Sequence, residues 1–334
     1  MNNNTLKSIL NKYDQKRNKA IIEANSRKLE LYKKCPEIEK IDNDISTASI
    51  NAIQSVLVSK NKKLVSDLKK QISELKNKKI KLLTNLGYDE HYTEPVFECN
   101  KCKDTGYVNT SEGNHLCSCI KQELYNIEYN NSNIYDLKNQ NFKNFKINLY
   151  SDEKNFEKFQ KNLSPRENIL KIREISENFI KNFDDPKENN LLFCGETGLG
   201  KTFLSSCIAN EMIKKGKTVL YQTAPIMLDN IIDYKFGKTS NDLMKSIYSA
   251  DLLIIDDLGS EAKNNLKITE LFNIINSRLL NQDNKITKTI ISTNLSLQEL
   301  YDTYEERIVS RIIGNYNACY FYGDDIRLKN KIKI

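Results

Sequence analysis

Glycine is scarce in this chain, with 11 among 334 residues, and histidine scarcer, with only His91 and His115. Any tight group of glycines is therefore informative. Both histidines lie far upstream of the motifs in the second half, so a carboxylate is the natural choice of general base there. No apolar run of about eighteen residues occurs, which excludes an ordinary membrane-spanning helix. The start, Met1-Asn2-Asn3-Asn4, lacks a signal-peptide pattern, so a cytoplasmic location with no membrane partner is expected. Eight cysteines are many for a secreted disulfide framework of this length. Four of them cluster as metal ligands do. Cys35, Cys194, Cys207 and Cys319 are dispersed, as reduced structural thiols would be.

Against that background, Gly195-Glu196-Thr197-Gly198-Leu199-Gly200-Lys201-Thr202 fits the phosphate-binding loop G-x-x-x-x-G-K-[ST] at every defined position. The glycines let backbone N–H groups curl around a phosphate chain. Lys201 can reach the β- and γ-phosphates, and the Thr202 hydroxyl can hold Mg²⁺. Leu191-Leu192-Phe193-Cys194 reads as a buried strand leading into the loop. Phe203 to Lys215 reads as a helix whose N-terminus faces the anion. The pattern predicts binding of a nucleoside triphosphate, namely ATP with Mg²⁺.

Downstream, Asp251-Leu252-Leu253-Ile254-Ile255-Asp256-Asp257-Leu258-Gly259 is an apolar run ending in two carboxylates. Such a run suits a central parallel strand, which delivers its last residues to the ligand-binding edge of an open α/β sheet. Asp256 is then the Mg²⁺ anchor, and Asp257 orients or deprotonates the attacking water. Further strands are expected at Thr218–Gln222, Leu252–Asp256, Thr289–Thr293 and Ala318–Tyr322, separated by helices. Alternating units of this kind imply a doubly wound, parallel five-stranded sheet.

The front of the chain is different. Residues 1–90 hold 19 basic and 11 acidic residues, whereas the remainder is nearly balanced although the whole carries a net charge of +7. This basic end can meet nucleic acid or an acidic protein face, or be a solvated surface. It lacks glycine before Gly87, and Pro36 splits two helical stretches. In the second, Val65, Ile72 and Leu86 share one heptad position and Leu68, Leu75 and Leu82 the other, with Lys79 the single polar entry, a short coiled-coil seam. The first stretch, about Leu6 to Lys34, can pack back on it as a helical hairpin. Next come Cys99-x2-Cys102, a 14-residue gap and Cys117-x-Cys119, two pairs able to surround a Zn²⁺ ion. Gly106 allows a tight knuckle, Val108 to Leu116 a small hairpin, and His115 is the alternative ligand to one thiol of the close second pair. The expected organisation is a helical arm at 1–90, a zinc-binding module at 91–130, a linker at 131–150 and a nucleotide-binding domain at 151–334.

The third zone resembles the DnaC/DnaI family of bacterial replicative helicase loaders, which are AAA+ ATPases of the initiator clade. The likeness rests on GETGLGKT, DLLIIDDLG, TIISTN, ERIVSR and the Asp324-to-Arg327 pattern, and it covers about residues 135 to 330. The segment CNKCKDTGYV with CSC resembles the zinc-bearing module of the DnaI-like branch. The resemblance implies an AAA+ module without a full C-terminal lid. It makes Asn294 the sensor of the γ-phosphate, Arg311 the arginine finger with Arg307 next, and Arg327 a further nucleotide-sensing residue. Asp257 stands where many related ATPases carry the longer Glu, a departure that predicts slow turnover. As partners the family implies a hexameric replicative helicase, single-stranded DNA and self-association through the ATP sites. Two rivals remain. One is an insertion-sequence helper ATPase of the IstB type, whose core is nearly the same but which generally has no zinc module. The other is a non-hydrolysing nucleotide switch acting as an adaptor.

Overall fold

The computed structural model describes residues 3–55, 62–111, 113–130, 139–238, 242–280 and 285–331. Two compact units are separable, Lys7–His115 and Leu116–Ile334, the second together with the first six residues. Among the described residues no helix is long and apolar enough to cross a membrane.

The first unit holds α1 (Asn3–Lys34), α2 (Pro36–Gln54) and α3 (Lys62–Asn85), followed by the hairpin β1 (Tyr107–Thr110) and β2 (Gly113–Leu116). Pro36 opens α2 at its first turn, where its missing N–H costs nothing. Three helices therefore stand where the sequence suggests two, because α3 packs against α2. Buried Leu31, Ile38 and Leu83 tie the three together. Leu68, Ile72, Leu75 and Leu82 of the heptad seam are half-buried, whereas Leu86 lies beyond the helix and is exposed. The Val65 side chain lies outside the described residues. Lys79, the polar seam position, pairs with Asp42 of α2 at 2.7 Å, and Asp42 also accepts a hydrogen bond from Tyr32 at 2.7 Å. Burial opposes ionisation of Asp42, but the Lys79 and Tyr32 hydrogen bonds outweigh it and hold the carboxyl below its usual range.

In the second unit the elements follow as α4 (Ser118–Tyr125), α5 (Phe156–Phe159), α6 (Pro165–Lys181), β3 (Asn190–Cys194), α7 (Lys201–Lys214), β4 (Val219–Thr223), α8 (Ala224–Lys235) and α9 (Asp242–Ser249). Then come β5 (Leu252–Leu258), α10 (Asn265–Leu280), β6 (Lys288–Thr293), α11 (Leu297–Thr303), α12 (Glu306–Asn315), β7 (Tyr316–Tyr320) and α13 (Ile326–Lys331). The five strands β3 to β7 form one parallel sheet in the order β4-β5-β6-β3-β7. Their side chains alternate between two cores. Leu191, Phe193, Tyr221 and Ile254 enter one, while Leu192, Leu220, Leu253 and Ile255 enter the other. Helices cover both faces, which explains why the strands read as unbroken apolar runs. Capping boxes, Ser164 with Glu167 and Ser296 with Glu299, fix the starts of α6 and α11.

Every expected strand is present with its bounds moved by no more than two residues, and the last is displaced at both ends. The last begins at Tyr316 and not Ala318, because Tyr316 is buried and pairs with Asn190 of β3. Helix α7 likewise starts at Lys201, two residues earlier than its apolar pattern suggests. Residues 131–138 of the expected linker lie outside the described residues. Its described part makes short turns whose Phe142, Phe145, Ile147 and Leu149 pack on the core.

One attachment had no signal in the sequence. The side-chain amide of Gln122, on α4, donates to the Val219 carbonyl at 3.1 Å and accepts the Val219 N–H at 2.6 Å. Both contacts are buried, so Gln122→Ala leaves two backbone groups without partners. We expect a loss of about 1–3 kcal/mol in unfolding free energy, with faster hydrogen exchange at the Val219 amide. Chemical denaturation of the full chain measures the first, and exchange mass spectrometry the second.

Candidate nucleotide-binding site

Strand β3 runs into the glycine loop, and the loop runs directly into α7. Gly195 and Gly198 have positive φ, 144° and 75°, and neither position has room for a side chain. A Cβ on Gly195 would collide with the Phe321 carbonyl oxygen, and one on Gly198 with the Asp325 carboxylate. Lys201 opens the helix and is buried, donating to the Gly195 and Glu196 carbonyls at 2.5 and 2.7 Å and to Asn294 Oδ1 at 2.7 Å. Burial lowers its pKa, while Asp257 and Asp256 pull the other way. The loop lysine and the expected sensor Asn294 are thus in direct contact.

The two acids owe their placement to an irregularity in β5. Its register against β6 runs Ile255 to Ile291 and then Leu258 to Thr293, so two residues of β5 span one of β6. Such a bulge re-aims side chains at a strand end. Asp256, only 3% exposed, receives hydrogen bonds from Thr202 Oγ1 at 3.0 Å, Tyr221 OH at 2.8 Å and Ser292 Oγ. Asp257 takes the left-handed region with φ 56°, a conformation Asp tolerates better than most residues. Its N–H donates to Ser292 Oγ at 3.1 Å. Burial and then the neighbouring Asp256 raise its pKa, against the opposing pull of Lys201 and a hydrogen bond from Asn294.

Tyr221 and Ser292 were missed by the sequence reading. Their signal was faint, a single polar group inside each apolar strand. Asp104 was missed too. Its buried carboxylate accepts the N–H groups of Glu98 and Cys99 at 2.9 and 2.8 Å, and with Lys103 it adopts positive φ, shaping the knuckle after Cys102.

A cleft of about 920 Å³ opens over the loop, a volume in the range of small-molecule sites. Thr197 to Phe203, Asp257, Asn294 and Arg327 line one part of it, and residues 139–150 supply another wall. Tyr150 fastens that wall to the loop by donating to the Leu199 carbonyl at 3.0 Å, and Phe145 stacks on Tyr150 with ring centres 6.1 Å apart. Arg327 is ion-paired with Asp325 at 3.2 Å. Arg307 and Arg311 do not line the cleft. Both guanidinium groups sit over the ring of Phe272, at 4.4 and 4.8 Å, and Arg311 donates to Asn276 at 2.7 Å. Thus Lys201, Thr202, Asp256, Asp257, Asn294 and Arg327 converge, while the two arginines of α12 sit together against Phe272 of α10.

The Sγ atoms of Cys99, Cys102, Cys117 and Cys119 lie within 4.8 Å of one another. His115 is exposed on β2 and is not among them.

Residues 138–333 match the family described as IstB-like ATP binding protein. The chain belongs to that family. Its relatives include the replicative helicase loader DnaC of Buchnera aphidicola subsp. Baizongia pistaciae, 28% identical over 165 residues that span 48% of this chain and 63% of the relative. An insertion sequence ATP-binding protein, y4pL of Sinorhizobium fredii, is 25% identical over 150 residues, 43% of this chain and 59% of the relative. The chain therefore spans about three-fifths of the length of these curated relatives. Among solved structures, a crystal structure of the DnaC helicase loader aligns with TM-score 0.41 and 24% identity over 50% of this chain and 96% of that one. The matched region holds the five-stranded parallel sheet and the glycine loop between β3 and α7, and the cysteine cluster lies outside it.

The raised pKa of Asp257 makes a stability prediction. A carboxyl whose pKa is higher in the folded than in the unfolded state destabilises the fold once it ionises. The penalty is absent below the ordinary carboxylate pKa and develops as pH rises through the folded one. Asp257→Asn should therefore raise the melting temperature at neutral pH, with the gain disappearing in acid. Thermal melts of both proteins across pH 3.5–8 check this.

Proposed function

We propose that the chain is an ATP-hydrolysing loader of a replicative DNA helicase, acting as a self-associating assembly on single-stranded DNA. The observation that carries the ATPase part is the meeting of Lys201, Thr202, Asp256, Asp257 and Asn294 at one end of the cleft. The Thr202 hydroxyl and the Asp256 carboxylate are hard oxygen donors 3.0 Å apart, a pair that suits Mg²⁺. They would hold the ion, whose charge offsets that of the phosphates. The loop glycines and Lys201 grip the phosphate chain. Asp257 orients the attacking water and accepts its proton, with a pKa already raised toward the task. Asn294 and Arg327 face the terminal phosphate, and Arg311, with Arg307 beside it, acts on the nucleotide of a neighbouring copy.

Four clustered thiols are the soft donor set that Zn²⁺ prefers, and one zinc there would stabilise a segment with little core of its own. The loader reading draws on relatives that are themselves replicative helicase loaders and on this cysteine group. A transposition helper ATPase is the second reading, favoured by the family description and by the y4pL relative. Retention of the host's replicative helicase on immobilised full chain, in ATP and single-stranded DNA, decides between them. Failure to retain it would remove the loader reading. ATP turnover with single-stranded DNA separates either from a non-hydrolysing switch.

Lys201→Ala should remove most ATP binding, whereas Asp257→Asn should keep binding and abolish turnover. Arg311→Ala should spare binding but cut hydrolysis, by about 10³-fold if a true finger operates. Mixing Arg311→Ala with Lys201→Ala chains should restore some activity, since one interface then pairs an intact cleft with an intact arginine. Equal nucleotide affinity for wild type and Lys201→Ala would refute the site.

Metal analysis should find about one zinc per full chain. Cys99→Ser should lower both zinc content and melting temperature, and His115→Ala neither. A folded wild-type protein free of zinc, prepared without chelator, would contradict this assignment.

A further inference from the structure

The cleft contains an acceptor that none of the described residues uses. Gln140 lies in the wall formed by residues 139–150, and its side-chain oxygen, Oε1, is buried with no hydrogen-bond partner among the described residues. Leaving a carbonyl oxygen dry and unpaired is costly, so native proteins rarely do it without a reason. Neighbouring amides are engaged within the wall itself. Asn144 donates from its side chain to the Asn139 carbonyl at 2.8 Å and from its backbone to Asn141 Oδ1 at 3.0 Å. The wall is stiffened as well, because Arg173 lies over the rings of both Phe142 and Phe145. A rigid support holds the unused acceptor in place.

The glycine loop and Lys201 fix where the phosphates go. The remaining wall, with Phe145, Leu149 and Tyr150, offers the apolar surface that a planar base requires. Purine bases differ at position 6, where adenine carries an amino group that donates and guanine a carbonyl that accepts. An unpaired acceptor complements the first and opposes the second. We infer that Gln140 sets the base specificity of the cleft, its Oε1 accepting a hydrogen bond from the 6-amino group of adenine. This rests on the reading of the cleft as a nucleoside triphosphate site and adds to it the residue that selects the base.

The test is equilibrium binding of Mg-ATP, Mg-GTP and Mg-purine riboside triphosphate, which lacks any group at position 6, to the full-length protein. Wild type should prefer ATP over the purine riboside analogue by about tenfold and bind GTP more weakly still. Gln140→Leu should bring ATP and the analogue to nearly equal affinity, leaving affinity for the analogue unchanged because the phosphate grip is intact. Gln140→Glu keeps an acceptor. Its added charge should weaken all three nucleotides yet preserve their order, and this variant decides the matter if the leucine variant binds nothing. A Gln140→Leu protein that binds the analogue normally and still prefers ATP would overturn the proposal, as would a glutamate variant with the order lost. Wild-type protein that binds none of the three would instead bring down the nucleotide reading, and this inference with it.

Discussion

The carboxylate of Asp256 is the point on which the ATP-binding unit depends. An ionised carboxylate at 3% exposure is expensive unless its lone pairs are satisfied. Here three hydroxyls satisfy them, and they come from three different elements: Thr202 from α7, Tyr221 from β4 and Ser292 from β6. One side chain therefore fixes the start of the loop helix relative to three strands. The partners are neutral hydroxyls and not a cation, and the carboxylate acts on its charged neighbours. Lys201 feels it favourably and Asp257 unfavourably. Those opposite effects leave a buried cation beside a carboxyl that holds its proton more tightly than usual.

The same economy appears at the arginines. Phe272 faces both Arg307 and Arg311, and Asn276 takes the Nε of Arg311. Stacking on one ring brings two like charges to one side of α10 with their rotamers restrained. Such restraint lowers the entropy lost when either guanidinium meets an anion. Glu305 offsets part of the charge through its pair with Arg307 at 2.5 Å.

How much of this was legible depended on the range of each signal. The glycine loop, the acid-ended strand and the five-stranded sheet were readable because each is encoded within a few consecutive residues. The partners of Asp256 were not, since Tyr221 and Ser292 reach it only through strand register. The heptad seam was visible, but the answer to its polar entry, Asp42 opposite Lys79, lies in another helix. Asn130 to Asn148 is so polar in composition that it read as a linker. The aromatic residues scattered through it decide otherwise for the described part, since Phe142 and Phe145 pack on the core and hold the amides that follow Asn139 against the cleft. Composition reports how wet a segment is on average, and a cleft wall is wet on one side only.

Gln122 carries a consequence for how such molecules can associate. Strand β4 is the outermost on its side of the sheet, and an outermost strand normally offers its peptide groups to any foreign chain that arrives. At Val219 those groups are already taken by a side-chain amide that imitates a neighbouring strand. Gln222 of β4 adds a side-chain tie to the same segment, its amide donating to the Tyr129 carbonyl at 2.5 Å. Addition of a foreign strand is opposed at this point of the β4 edge. Melting of α4 would remove the block, and clumping at high temperature should then begin at β4.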